Sequence, residues 1–222
     1  MYKKLGILGG MGPFATYTLY KNIIESTPVN CDQEHINMVI LNAAYIPDRT
    51  AGILNRGESP LPYLLDALKN LEICGCDLIA VPCNTSHYYY DELQKSCKAK
   101  ILNMLDLTAE VLENKKIKKV YLMATEGTIK TGVYHKYFNA RNIEIIAPAD
   151  EEIAEMMKVI YDIKKGVSPA LDKLEKIANN YGAPVVLGCT EFSTVKFSNI
   201  EYIDAMQVLH DKILELFGIV HY

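Results

Sequence analysis

One stretch sets the architecture expected for this chain, Asp77-Leu78-Ile79-Ala80-Val81-Pro82-Cys83-Asn84-Thr85-Ser86-His87. It begins as a short apolar run with the length of a fully buried strand, and small polar residues that favour helix starts follow it. A second stretch, Ala183-Pro184-Val185-Val186-Leu187-Gly188-Cys189-Thr190-Glu191, repeats this pattern. Each cysteine is therefore predicted at the carboxyl end of a buried strand, where open α/β sheets bind ligands. The helix N-terminus expected beside each of them would lower the pKa of the thiol.

Length and composition limit the class of protein. The chain has 222 residues, half of them apolar, which is enough for one large domain or for two lobes of about 100 residues each. A net charge of −4 argues against a general nucleic-acid partner. No apolar stretch approaches the roughly 20 residues of a membrane span, and the chain enters its first strand without a cationic, apolar leader. We therefore expect a cytoplasmic protein that has neither a membrane nor a nucleic acid as partner.

The cysteines are interpreted as free thiols. The chain has six of them, without a C-x-x-C pair or a zinc-ligand spacing, so we predict neither a disulfide framework nor a metal site. Cys83 and Cys189 differ from the rest because their position and their local sequence repeat together. Inert packing is expected for the other four, Cys31, Cys74, Cys76 and Cys97.

Strand and helix patterns alternate along the chain. Strands are predicted at 3–9, 36–41, 77–83, 100–103, 118–124, 143–146, 182–188 and 201–203. Helices are predicted at 13–26, 61–71, 88–98, 105–113, 150–165, 170–180 and 205–217, with Asp150 as the cap of the fifth. This alternation is typical of an α/β fold with mainly parallel sheets.

The pattern at the start of the chain occurs a second time. Residues 118–127 repeat the pattern of residues 3–12, with two lysines, a buried strand and a glycine-containing turn that leads into a helix, at nearly the spacing that separates the two cysteines. We therefore predict two similar, pseudo-symmetric three-layer lobes with the active site in the cleft between them. Residues 1–103 with 204–222 would form the Cys83 lobe, and residues 104–203 the Cys189 lobe.

Two thiols that face one cleft would act as a base and an acid on opposite sides of a substrate. A thiolate on one side would remove a proton from a carbon atom, and a thiol on the other side would return a proton to the opposite face. The stereocentre would be inverted. Asn84, Thr85 and Thr190 are candidate donors to a substrate carboxylate, although they would also serve as helix caps.

Three neighbouring polar residues have more than one interpretation. His87 is either a partner of the Cys83 thiol, as in a Cys-His hydrolytic pair, or a structural histidine. Glu191 would either raise or lower the proton affinity of Cys189. Arg49 is either a solvated charge or a bidentate carboxylate clamp.

Four motifs occur in register along the chain: residues 6–13 (GILGGMGP), residues 47–50 (PDRT), residues 82–87 (PCNTSH) and residues 188–191 (GCTE). With them the chain closely resembles the cofactor-independent aspartate racemases of the aspartate/glutamate racemase superfamily. The resemblance spans nearly the whole chain. It implies two similar α/β lobes with the site between them, a homodimer, aspartate as substrate, and neither pyridoxal phosphate nor a metal.

The resemblance also implies roles for individual residues. The acid/base thiols are Cys83 and Cys189, and the α-carboxylate side is lined by Met11, Gly12, Asn84, Thr85, Ser86 and Thr190. The side-chain carboxylate is bound by Arg49 and by one lysine of the Lys164-Lys165 pair, with Lys164 favoured. The supporting residues are Glu191, His87 and Thr125. This chain departs from the family pattern at Ser86, where alanine is frequent, and at Glu126, where a small hydroxyl residue is common.

The sequence therefore predicts a racemase that interconverts L- and D-aspartate by a two-base mechanism. Three alternatives stay open: a racemase of glutamate or of another acidic substrate such as maleate, a non-catalytic binding protein for acidic amino acids, and a dithiol redox protein.

Overall fold

The computed structural model describes residues 2–219. Residue 1 and residues 220–222, which the predicted boundaries assign to the first lobe, lie outside the described residues. Within the described part, no helix is long and apolar enough to cross a membrane.

The first lobe is built on a parallel sheet with the strand order β2-β1-β3-β4. Its strands are β1 (Leu5–Gly9), β2 (Met38–Asn42), β3 (Leu78–Ala80) and β4 (Lys100–Ile101). Its helices are α1 (Pro13–Glu25), α2 (Arg49–Ile53), α3 (Leu61–Ile73) and α4 (Tyr90–Ser96). Helix α5 (Met104–Asn114) then leads to the second sheet.

The second lobe repeats the arrangement with the strand order β6-β5-β7-β8, again parallel. Its strands are β5 (Lys119–Ala124), β6 (Glu144–Ile146), β7 (Val185–Gly188) and β8 (Tyr202–Asp204). Its helices are α6 (Glu126–Thr131), α7 (His135–Asn139), α8 (Asp150–Lys164) and α9 (Asp172–Asn179), and α10 (Ala205–Leu216) follows β8 as α5 follows β4. Each strand has its counterpart at the same place in the other sheet, which confirms the predicted pseudo-symmetric α/β fold.

Three apolar cores hold the sheets and helices together. The central core combines apolar residues of α1, α5 and α10 with one face of each sheet, so it joins the two lobes. The two outer cores pack α3 and α4 on the first sheet and α8 and α9 on the second. Because helices cover both faces, β1 and β7 are buried along their whole length, as expected for parallel strands. Helices α5 and α10, which the predicted boundaries assign to different lobes, pack against each other.

Several local predictions differ from the structure. The segment predicted as a helix over 88–98 begins as a 3₁₀ turn over Thr85–Tyr89 and becomes α-helical only at Tyr90. The cap of α8 is Ala149 rather than Asp150, because the Glu152 carboxylate accepts a hydrogen bond from the Ala149 backbone N–H. Helices α2 and α7, of five residues each, were not predicted, since such short helices show no clear apolar period. The helix expected after the turn of the second repeat is α6, of six residues.

Candidate active site

The carboxyl ends of the central strands of both sheets meet at one small cavity between the lobes. The volume of this cavity is about 20 Å³. The lining includes ten predicted site residues: Met11, Arg49, Cys83, Asn84, Thr85, Thr125, Lys164, Cys189, Thr190 and Glu191. Asp48 and Thr50 complete it. Three predicted residues, Gly12, Ser86 and His87, lie behind this lining rather than in it.

A larger cavity adjoins the small one and shares Asp48 and Thr50 with it. Its volume is about 660 Å³. On its wall, Arg56 of the first lobe donates two hydrogen bonds, of 2.8 and 3.0 Å, to the carboxylate of Glu126 in the second. Glu126, which departs from the family pattern, therefore lines the larger cavity and not the small one.

His87 fixes the backbone around Cys83. Its Nδ1 lies 2.9 Å from the Cys83 carbonyl oxygen, and its Nε2 lies 3.2 Å from the Met104 backbone nitrogen and 3.3 Å from the Leu102 carbonyl oxygen. Burial lowers the pKa of His87 and keeps the ring neutral. The structure therefore supports the interpretation of His87 as a structural histidine and gives no support to a Cys-His hydrolytic pair.

Cys189 is hydrogen-bonded as a thiol. Its Sγ donates to Oε2 of Glu191 at 3.0 Å, and both side chains are buried. Burial raises the pKa of Cys189 well above its usual value, and the Glu191 carboxylate raises it further, against the opposing effect of Lys164. The expectation that a helix N-terminus lowers this pKa is wrong. The cysteine is followed only by a 3₁₀ turn over Phe192–Thr194, and the nearest charge is negative.

Lys164, and not Lys165, faces the cavity. Its Nζ lies 3.7 Å from Oε1 of Glu191, whereas Lys165 is the exposed C-cap of α8. Burial lowers the pKa of Lys164, but the attraction of Glu191, helped by Cys189 and Cys83, outweighs burial and leaves the pKa raised. The ammonium group is therefore charged at neutral pH and partly balances the Glu191 carboxylate.

Arg49 is buried, which rules out a solvated surface charge. Its Nη1 donates to the carbonyl oxygens of Ile46 and Pro47, and its Nη2 donates to that of Met11, all at 3.0 Å. These bonds hold the guanidinium group rigidly in the cavity wall. The Nε–H is left without a partner among the described residues.

Hydroxyl groups link the two lobes around the cavity. Thr85 Oγ1 lies 2.8 Å from Thr125 Oγ1 and 3.1 Å from Thr128 Oγ1, and Thr190 Oγ1 donates to the Pro82 carbonyl oxygen at 3.0 Å. The capping interpretation holds for none of the three candidate donors, since the hydroxyls of Thr85 and Thr190 reach across to the other lobe and Asn84 makes no cap bond. Thr125 is a cap, because it accepts from the Thr128 backbone N–H.

Gly12 and Ser86 support the lining from behind. A Cβ atom added to Gly12 would lie 2.9 Å from Oε1 of Glu191, so only glycine leaves the carboxylate in place. The Ser86 hydroxyl donates to the Met11 thioether at 3.4 Å and is fully buried. Its departure from alanine therefore acts on Met11 and not on the cavity directly.

Tyr134 was missed by the sequence reasoning. It is fully buried in the second lobe, and its phenol donates a 2.5 Å hydrogen bond to Oδ1 of Asn84 in the first. No motif marks it, since an aromatic residue in this segment is typical of core packing. Thr128 was also missed, because no motif marks a single threonine in this segment.

Three residues of the cavity lining each have a buried polar atom without a hydrogen-bond partner among the described residues. Two are donors, Nε of Arg49 and Nδ2 of Asn84, and one is an acceptor, Oε1 of Glu191. Such atoms are rare in folded proteins and call for an explanation. Within residues 2–219 no cluster of three or more His, Cys, Asp or Glu residues could hold a metal ion.

Comparisons with known proteins identify the family of the chain. Residues 8–212 match the family described as Asp/Glu/Hydantoin racemase. A solved aspartate racemase from Picrophilus torridus is 31% identical, with a TM-score of 0.88 over 99% of this chain and 96% of that one. A broad specificity amino-acid racemase from Bacillus subtilis is 28% identical over 148 residues, which span 64% of this chain but only 63% of that protein. A glutamate racemase from Aquifex aeolicus is 25% identical over 93% of this chain and 78% of its own length.

Proposed function

This chain belongs to the Asp/Glu/hydantoin racemase family, and from that premise we propose that it is an aspartate racemase that works without a cofactor. The observation that carries the proposal is the pairing of Cys83 and Cys189. They follow equivalent strands of two pseudo-symmetric sheets, and they line one small cavity together with Arg49 and Lys164.

The unpartnered atoms of the cavity match the charges of an acidic amino acid. Arg49 and Asn84 offer N–H donors, which suit carboxylates, and Glu191 offers an oxygen, which suits an ammonium group. Lys164 adds a second positive charge for the side-chain carboxylate. Aspartate has two carboxylates and one ammonium group, so it would supply hydrogen-bond partners to these three atoms, while Lys164 Nζ stays 3.7 Å from the Glu191 oxygen as an ion pair.

The proposed reaction moves one proton onto the substrate for each proton removed. The Cys83 thiolate takes the proton from Cα, and the electron pair delocalises into the α-carboxylate as an enediolate, whose charge the surrounding N–H and O–H donors stabilise. The Cys189 thiol then gives its proton to the opposite face of Cα. The enzyme is left with a Cys83 thiol and a Cys189 thiolate, which is the form that converts the other enantiomer.

Substrate entry requires movement of the lobes. A space of about 20 Å³ holds roughly one water molecule, which is too small for any amino acid. The adjoining cavity of about 660 Å³ is the proposed entry route. Closure of the lobes around the substrate would then exclude water from the carbanion.

Aspartate is preferred here over glutamate because the Picrophilus torridus relative, named as an aspartate racemase, is similar over nearly the whole chain. The relatives named as a broad specificity racemase and as a glutamate racemase support the alternative. One methylene lengthens the substrate by about 1.5 Å, enough to break a bidentate carboxylate contact. A kcat/KM for aspartate at least about tenfold above that for glutamate would support our assignment, and the reverse ratio would replace it.

Hydrogen exchange at Cα tests the mechanism. In deuterated water, L- and D-aspartate should both gain deuterium at Cα as they racemise, and Cys83→Ala and Cys189→Ala should each abolish racemisation. Retained racemisation in the Cys83→Ala protein would exclude the two-thiol mechanism. Thermal stabilisation by aspartate without racemisation would instead indicate a binding protein, and a disulfide that forms readily between the two cysteines, without any effect of aspartate, would indicate a redox protein.

A homodimer and a cytoplasmic location are part of the same proposal. The homodimer comes from the family resemblance, and the location from the free cysteines. Analytical ultracentrifugation should give twice the mass of the chain, and cell fractionation should recover the protein with cytoplasmic markers.

A further inference from the structure

Tyr134 contacts a candidate substrate-binding residue without lining the cavity. It precedes α7 in the second lobe and is fully buried against Phe138, with 5.0 Å between the ring centroids. Its phenol crosses to the first lobe and donates to Oδ1 of Asn84 at 2.5 Å, at the short end of the range for O–H···O bonds.

This hydrogen bond favours one orientation of the Asn84 amide, because a flipped amide would take away the oxygen that accepts the phenol proton. The amide has one carbonyl oxygen and one NH₂ group of almost the same shape, so packing alone does not distinguish its two orientations. With Oδ1 occupied by the phenol, Nδ2 is the amide atom without a partner among the described residues, and Asn84, which is only 2% exposed, lines the small cavity. A flipped amide would present an oxygen to the substrate and would repel a carboxylate.

The tyrosine is suited to this task because it stays protonated. Burial raises the pKa of Tyr134, so the phenol acts as a donor throughout the neutral range. Packing alone does not explain the hydroxyl, since phenylalanine would fill the same apolar site.

We propose that Tyr134 is a positioning residue, which orients the Asn84 amide so that its NH₂ group binds the α-carboxylate of the substrate. This inference rests on the proposed racemase function. Because the hydrogen bond joins the two lobes, it also makes the orientation of Asn84 dependent on closure of the cleft.

Tyr134→Phe tests the proposal, with Tyr121→Phe as the matched control. Tyr121 is equally buried in the same lobe, and its phenol donates to Glu152 at 3.2 Å, outside the candidate site. Loss of one oriented hydrogen bond to a charged group should raise KM for aspartate about tenfold or more in Tyr134→Phe. The value of kcat should change much less, and the ratio to wild type should stay constant from about pH 6 to pH 9. Tyr121→Phe should keep the wild-type KM.

A double-mutant cycle with Asn84→Ala separates positioning from a general structural effect. If Tyr134 acts through Asn84, Tyr134→Phe should raise KM in the wild-type background but not in the Asn84→Ala background. Melting temperatures of the two phenylalanine variants report on folding independently. Where Asn84→Ala is too slow to assay, the rise in melting temperature caused by aspartate gives the same comparison of affinities.

The outcomes distinguish the two proposals. A wild-type protein that does not racemise aspartate would refute the proposed function, whatever the variants do. A wild-type protein that does racemise aspartate, with equal KM values for Tyr134→Phe and Tyr121→Phe, would overturn the positioning role alone. Additive effects of the Tyr134 and Asn84 substitutions would also overturn it.

Discussion

Gly12→Ala should disturb the chemistry at Cys189 without touching the cysteine. The backbone of Gly12, with φ −107° and ψ 163°, is extended and is open to any residue, so alanine introduces no backbone strain. Its Cβ would lie 2.9 Å from Oε1 of Glu191, whereas ordinary contacts begin at 3.4 Å. The carboxylate must therefore move by about 0.5 Å, and because Glu191 is 3% exposed it cannot turn out into solvent.

The size of the effect follows from this displacement. Misplacement of a reacting group by about 1 Å costs on the order of 10²-fold in rate, so half that distance predicts a loss of about tenfold in kcat/KM. The factor should be the same for L- and D-aspartate, because enantiomers have equal free energies and the equilibrium constant is one. Overpacking costs about 1–3 kcal/mol, with a fall in Tm of about 2–4 °C per kcal/mol in a protein of this size.

The circular dichroism of dissolved aspartate, which reports the configuration at Cα, would follow both directions of the reaction. Gly57→Ala is the control, since it adds the same methyl group in a loop outside the cavity lining, 3.2 Å from the Ala51 Cβ. The penalty of Gly12→Ala should shrink in a Glu191→Asp background, whose carboxylate is retracted by one methylene. Equal rates for the two alanine variants, or the same penalty in both backgrounds, would refute this reasoning.

The remaining predictions concern three ionisable side chains. Glu191→Gln removes a charge that raises the pKa of Cys189, so the limb of the pH–rate profile that belongs to this thiol should move to lower pH. A profile of kcat/KM against pH in which this limb does not move would contradict the prediction. Arg49→Lys keeps the charge but loses the fork that bonds to three backbone carbonyls, so KM should rise about 10–100-fold with a smaller change in kcat, measured against Lys165→Arg as control. Burial depresses the pKa of His87 in the folded state, so the stability that the neutral ring contributes is fully present above about pH 6.5. As pH falls below this value, the free energy of unfolding decreases by up to about 1.4 kcal/mol per pH unit. Urea denaturation from pH 7 to pH 5 should show this slope in the wild type and a smaller one in His87→Gln.

The repeated strands made the fold predictable from the sequence. Parallel strands covered on both faces are apolar throughout, and β1 and β7 are fully buried, so their sequences stand out as short continuous runs. The shared central core was not predictable, because α5 and α10 are ordinary amphipathic helices whose partners depend on tertiary packing.

Some of the candidate site was also readable in the sequence. The choice between Lys164 and Lys165 depends on helical phase, since Met157, Tyr161 and Lys164 follow one face of α8 at spacings of four and three residues. The direction of the Cys189 pKa shift was not readable. The direction depends on burial and on the Glu191 carboxylate, which the turn after β7 places next to the sulfur.

The two cysteines occupy equivalent positions in the repeated fold but have different electrostatic surroundings, and the reaction is compatible with this difference. On the first lobe, a neutral His87 holds the carbonyl of Cys83 and contributes no charge. On the second lobe, the buried carboxylate of Glu191 favours the protonated form of Cys189, with Lys164 in opposition. Each turnover exchanges the protonation states of the two sulfurs, so the catalytic cycle needs one proton between them and not two identical groups. The unequal supports therefore select the form in which the free enzyme waits, and hence the enantiomer that it binds productively first. The equilibrium between L- and D-aspartate stays at one to one, because the enantiomers have equal free energies and a catalyst does not change them.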